Sequence, residues 1–188
     1  MSPMQAAETE FPVRAPADLR EDPLDIRGAT QRAGDHRWRT VPGTLLGERG
    51  AGLTQLALGP GGFFALAQVS CQGADVVLTH RGLEVDGVAS NITRRTRDRG
   101  VQVARSISQV LERRLGVITV VVLADAASLQ VQGQPPGTAV VPRGQLALWL
   151  VTRPTSLGEE DMMQIWDVAM TPSTWTAPLR PRSRAPRL

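Results

Sequence analysis

The stretch 53-LTQLALGPGGFFALAQVS-70 decides how the rest of the chain is read. Two apolar runs, 53–58 and 63–69, flank Gly59-Pro60-Gly61-Gly62. Proline presets φ at the first corner of a tight turn and glycine accepts a positive φ at the second. The pattern therefore predicts a β-hairpin with Pro60 and Gly61 at the corners of a type II turn. Neither run contains Asp, Glu or Lys, so the hairpin carries no charge of its own.

Reading outward from it, "VPGTLLGERGAG" on the N-terminal side is punctuated like a loop. On the C-terminal side "DVVLT" and "GLEVDG" predict two short strands around His80-Arg81-Gly82. "NITRRTRDRGVQVARSISQVLERRLG" places Val103, Ile107, Val110 and Leu111 at helical spacing, with Gly116 as its stop. "VITVVVLADA" is a continuous β-branched run, as in a strand buried on both faces. "GTAVVP" predicts a last strand and "RGQLALWLV" a short helix. "SLGEEDMMQIWDVAM" predicts a helix opened by a capping box of Ser156 and Glu159. This order predicts an α/β fold, a central mixed sheet with flanking helices.

A length of 188 residues suits one domain with enough core to need no disulfide or metal staple. The expected organisation is a mobile arm over 1–30, an α/β domain over 31–172 and a Pro/Arg-rich tail over 173–188. The lone Cys71 cannot form an internal disulfide and reads as a small buried residue. No signal-peptide pattern or membrane-length apolar run is present, so a cytoplasmic protein without membrane contact is expected. The formal charge of +3 is unevenly placed, with −3 over residues 1–30 and four arginines in the last ten residues. All 21 basic residues are Arg, which excludes chemistry that needs a lysine amine.

The "PGT" loop, the strand entering "GPGGFFAL", the helix with Gln102 behind an Arg-rich lead-in, "VITVVVLADA", and "GTAVVPRGQLALWLV" followed by "LGEEDMMQIWDVA" together resemble the nuclease-related domain (NERD) family. That family is placed with the PD-(D/E)XK nucleases, and the similarity covers roughly residues 38–170. It implies a restriction-endonuclease-like core and a site made by the hairpin. The family pattern puts Asp-His on the first strand, then an apolar strand ending in Asp/Glu-x-Lys. Laid on this chain, the Asp falls at Thr54, the His at Gln55, the second acid at Ala67 and the Lys at Val69. In such a site two carboxylates hold a divalent cation while Lys stabilises developing charge. A Thr hydroxyl and a methyl group offer that cation little, because magnesium binds through hard oxygen ligands, commonly carboxylates. The resemblance thus implies a degenerate nuclease site with no catalytic residue, no metal and no cofactor, in which Gln102 is a remnant.

The expected role is binding, either of nucleic acid, weakly and without sequence preference, or of a partner protein. Arg94, Arg95, Arg97 and Arg99 form the dense basic cluster of the folded part, and Arg180, Arg182, Arg184 and Arg187 that of the tail. The alternative is a metal-dependent DNA or RNA nuclease rebuilt from Glu48, Asp75, Glu84 or Asp86, with Arg81 near the phosphate. His36 and His80 lack zinc-ligand spacing. Trp38 and Trp175 read as packing residues, with base stacking as the competing reading; Trp149 and Trp166 read as helix packing.

Overall fold

The computed structural model describes residues 24–179, which form two mixed sheets flanked by helices. The hairpin is present. Strands β1 (Arg39–Pro42), β2 (Gln55–Gly59) and β3 (Gly62–Ser70) form an antiparallel meander, joined across β1 and β2 by a 3-10 segment at Gly43–Gly50. A second, smaller meander follows, of β4 (Asp75–Thr79), β5 (Gly82–Val85) and β6 (Val88–Ser90). Helix α2 (Ile92–Val110) then crosses the first sheet, and β7 (Ile118–Ala124) returns parallel to β3. Strand β8 (Ser128–Val131) pairs with β4, and β9 (Thr138–Pro142) pairs with β7, both parallel. The larger sheet has the order β1-β2-β3-β7-β9 and the smaller β6-β5-β4-β8. Helices α1 (Ile26–Arg32), α3 (Leu146–Val151), α4 (Glu159–Met170) and α5 (Ser173–Thr176) complete the fold.

Strand β7 is buried from Thr119 to Ala124, as its unbroken apolar run requires. One face of the larger sheet presents Phe63, Ala65 and Ala67 to Val103 and Ile107 of α2 and to Met162 and Ile165 of α4. The opposite face presents Phe64, Leu66, Val120 and Val122 to Leu24, Ile26, Trp38, Leu146 and Leu150. The smaller sheet packs Val76, Leu78 and Leu83 against Val121, Leu123 and Cys71, which is buried as expected. Helix and sheet approach closely at Gly100, where a Cβ would lie 2.2 Å from Thr119 Cγ2.

Several local expectations are corrected. Gly61 does not take a positive φ; Gly62 does, at 132°. Gly61 is required for space instead, since its Cβ would meet that of Arg153 at 2.6 Å. Ser156 does not cap α4: Gly158 stands at the N-cap, because Ser156 and Leu157 both donate their N–H groups to Pro60 O and are tied to the hairpin turn. Helix α2 stops at Val110 rather than Gly116, with Glu112 taking a left-handed φ of 54°, and Val110 is exposed. The "VPGTLLGERGAG" stretch is not plain loop but supplies the end of β1 and the 3-10 segment, with Leu46 wholly buried.

The packed region also exceeds 31–172. Leu24 and Ile26 are buried, and Asp25 caps α1 by accepting the Gly28 N–H at 2.8 Å. At the other end Trp175 is buried and donates its indole N–H to Ala169 O at 3.0 Å.

Candidate functional site

Two places in this fold carry the residues singled out from the sequence: the hairpin where the resemblance puts a catalytic centre, and the arginine-bearing face of α2. In the hairpin, Gln55 pairs with Leu66 and Leu56 with Ala65, so the same register sets Thr54 across from Ala67 on the adjacent strand. Thr54 donates its N–H to Leu66 O at 2.7 Å, and its hydroxyl accepts the Gln68 N–H at 2.8 Å. Ala67 has no exposed surface and belongs to the core beneath α2. Val69, two residues on and on the same face, packs toward the smaller sheet. Gln55 is buried and donates to Leu24 O at 2.9 Å, which ties its amide to the segment before α1. The three positions are brought together, but as hydrogen-bond completion and core.

The carboxylates considered as migrated ligands are not gathered there. Asp75 and Asp86 close the smaller meander on each other: Asp86 Oδ1 accepts the Asp75 N–H at 2.9 Å, and Asp75 Oδ1 accepts the Ser128 hydroxyl at 2.5 Å. Asp86 holds a left-handed φ of 48° in the turn after β5. Glu84 lies on β5 two residues before Asp86, paired across with Val77. Glu48 is exposed on the 3-10 segment, and Arg81 is exposed on the β4–β5 turn. Among the described residues no three His, Cys, Asp or Glu side chains come together at metal-binding distance.

Helix α2 starts with Asn91 at its N-cap, without a side-chain cap and without an acid in its first turn. Arg94 and Arg95 are exposed there. Arg97 leans to one flank, donating to Pro136 O at 3.3 Å with Asp98 at 3.9 Å. Arg99 leans to the other, donating to Glu48 O at 3.3 Å and to Gln102 Oε1 at 3.1 Å. Carbonyl contacts orient these two guanidinium groups without neutralising them, and the Asp98 carboxylate partly offsets the charge of Arg97. Gln102 is therefore an Arg99 partner beside the 3-10 segment, and does not enter the core with Val103.

Sequence reasoning missed Arg49. From the 3-10 segment its guanidinium donates to Ser106 Oγ at 2.7 Å, to Thr174 O at 3.1 Å and to Ala177 O. Gln109 donates to Pro178 O at 3.1 Å just beyond. The C-terminal segment is thereby strapped along α2. No local pattern marks Arg49, since its partners lie up to 128 residues away. The tail arginines Arg180, Arg182, Arg184 and Arg187 lie outside the described residues.

A cavity of about 690 Å³ lies elsewhere, on the opposite face of the larger sheet, between α1, α3 and the ends of β7 and β9. Its lining is apolar apart from Asp25, Arg32, Asp125, Ser128 and Arg143. Arg32 pairs with Asp25 at 3.4 Å. No helix among the described residues is long and apolar enough to cross a membrane. Comparison of the chain with protein-family models, with curated proteins and with solved structures gave no match.

Proposed function

We propose that this chain is a nuclease-related domain that has lost its metal site and binds nucleic acid through the first half of α2. The observation that carries the reading is the pairing of Thr54 with Ala67: the two hairpin positions that would hold a cation lie opposite each other, one spent on the backbone of β3 and the other buried beneath α2. A missing general acid or base alone forfeits about 10²–10⁴ in rate, and here both carboxylates and the amine are replaced. What the domain keeps is charge. Arg94, Arg95, Arg97 and Arg99 sit within two turns at a helix start where the macrodipole already disfavours cations. A phosphate placed there relieves that repulsion and accepts charge-assisted hydrogen bonds.

The test is incubation of the full chain with plasmid in Mg²⁺ and Mn²⁺, alongside a filter-retention assay. Retention that falls with salt, is weakened in Arg94→Ala/Arg95→Ala, and is accompanied by no cutting is the expected result. Metal-dependent cleavage abolished by Asp75→Ala would replace this reading with that of a rebuilt nuclease.

A further inference from the structure

We propose that the cavity between α1, α3 and the ends of β7 and β9 is a small-molecule site. Its ligand is an amphipathic amine, with the ammonium on Asp125 and the apolar body against Ile26, Leu146 and Leu150. The cavity lies on the opposite face of the larger sheet from α2 and shares no residue with the arginine cluster.

Topology opens this space. Strands β7 and β9 are adjacent and parallel, so their carboxyl ends lie side by side. Val121 pairs with Ala67 on the face covered by α2, and with Leu123 it packs against the smaller sheet, which the chain enters after β7 by way of β8. After β9 the chain turns the other way, into α3, whose Leu146 and Leu150 pack with Val120 and Val122 on the opposite face. Two neighbouring strands thus send their continuations to opposite sides of the sheet, and the diverging segments leave a crevice. Open α/β sheets bind ligands in such a crevice, outside the carboxyl ends of the strands where the connections part. Short side chains at Ala126, Ala127 and Gly144 keep it wide, and a Cβ on Gly144 would meet no atom within 4 Å. Its volume of about 690 Å³ falls inside the range of about 300–1,000 Å³ usual for small-molecule pockets.

Charge selects the ligand. Of the four ionisable groups on the wall, three are already engaged. Asp25 accepts the Gly28 N–H at 2.8 Å and pairs with Arg32 at 3.4 Å, and Arg143 has a contact of its own. The Asp125 carboxylate makes no hydrogen bond or ion pair among the described residues. Its backbone is fixed just past the end of β7, at a left-handed φ of 56°, with its carbonyl accepting the Gly73 N–H at 2.6 Å. On the same wall Ser128 Oγ donates its proton to Asp75 Oδ1 and keeps a lone pair for another donor. An entering ammonium therefore gains acceptors without breaking a native pair, whereas a carboxylate would have to take Arg32 from Asp25. The apolar wall removes the rest of the molecule from water.

The full chain is titrated at low salt, by ligand-observed NMR, with phenylbutylamine, phenylbutanol and phenylbutyrate, which share an apolar body and differ in charge. The amine is expected to bind about three- to fivefold more tightly than the alcohol, the range of a solvent-exposed ion pair, and phenylbutyrate more weakly than the amine. Asp125→Asn, which suits the left-handed backbone, is expected to erase the preference for the amine and to leave the affinity for the alcohol unchanged. Gly144→Trp fills the crevice and is expected to abolish binding of all three, with circular dichroism reporting that the domain is folded; if it is not, Asp125→Asn still decides. Phenylbutyrate bound more tightly than the amine, or a preference for the amine that survives in Asp125→Asn, would overturn the assignment of the ligand. Binding that persists in folded Gly144→Trp, or no binding of any of the three at millimolar concentration, would overturn the site itself.

Discussion

The Thr54 hydroxyl accepts the backbone N–H of Gln68 at 2.8 Å, one step beyond the last residue pair of β2 and β3. The position at which the resembled family carries an Asp is used here to complete the bonding of a strand. Thr54→Val keeps the shape and deletes the acceptor of this partly buried N–H. A loss of about 1–3 kcal/mol is expected from urea unfolding, with Thr54→Ser close to the parent. Equal midpoints for all three proteins would show that the hydroxyl plays no such part.

Ala67 is the complementary case. It is fully buried among Val103, Ile107 and Leu56, so Ala67→Glu forces a longer, ionisable side chain into packed core. Overpacking costs about 1–3 kcal/mol, and an unpaired buried carboxylate avoids a larger penalty by taking up a proton. The Thr54→Asp/Ala67→Glu variant is therefore expected to melt well below the parent, with no recovery in millimolar Mg²⁺. A melting temperature that rises with Mg²⁺ would mean that the fold still presents a usable metal cradle.

Arg49 holds the C-terminal segment by two carbonyls and meets α2 at Ser106. Hydrogen bonds to a charged group are worth about 1.5–3 kcal/mol each in net terms. Arg49→Met retains much of the stem but releases the strap. Faster proteolytic cleavage after residue 170, together with a lowered unfolding midpoint, is the expected outcome. Unchanged cleavage would mean that Trp175 burial alone holds the segment.

Asp35 links the region before β1 to the core. Burial works to raise its carboxyl, but the Arg37 side chain and backbone hydrogen bonds, the Arg37 charge and the Trp38 indole together hold it below its ordinary value of 3.8. The unfolded chain therefore takes up the proton first. The stability attached to the anion is complete above pH 3.8 and is lost as pH falls below that value through the folded one. Asp35→Asn is expected to flatten this acid limb of the stability profile, measured by urea unfolding between about pH 2 and 6. An acid limb identical to the parent's would assign it to other carboxylates.

Much of this architecture was legible along the chain. The hairpin, the strands at 75–79 and 82–85, the long helix and the buried strand β7 all appear where the periodicities place them. Those elements carry strong local signals: a Pro-Gly turn, β-branched runs and apolar spacing that matches one helix face. Strands β6 and β8 and helix α1 carry almost none. Strand β8 reads Ser-Leu-Gln-Val and is mostly exposed, so only its pairing with β4 makes it a strand.

The same division runs through the site. The absence of acid and amine from the hairpin, and the four closely spaced arginines, are properties of the residues themselves and needed no coordinates. Three matters required the folded chain: that Thr54 faces Ala67, that Arg49 fastens the C-terminal segment to α2, and that the tryptophans are all engaged. The first two join residues well separated in the chain through strand register and side-chain packing, and the tryptophan contacts, though partly between near neighbours, depend on which face of each element is buried. Local propensity carries no record of such contacts, because they form only when the sheet and its covering helices bury their apolar faces together.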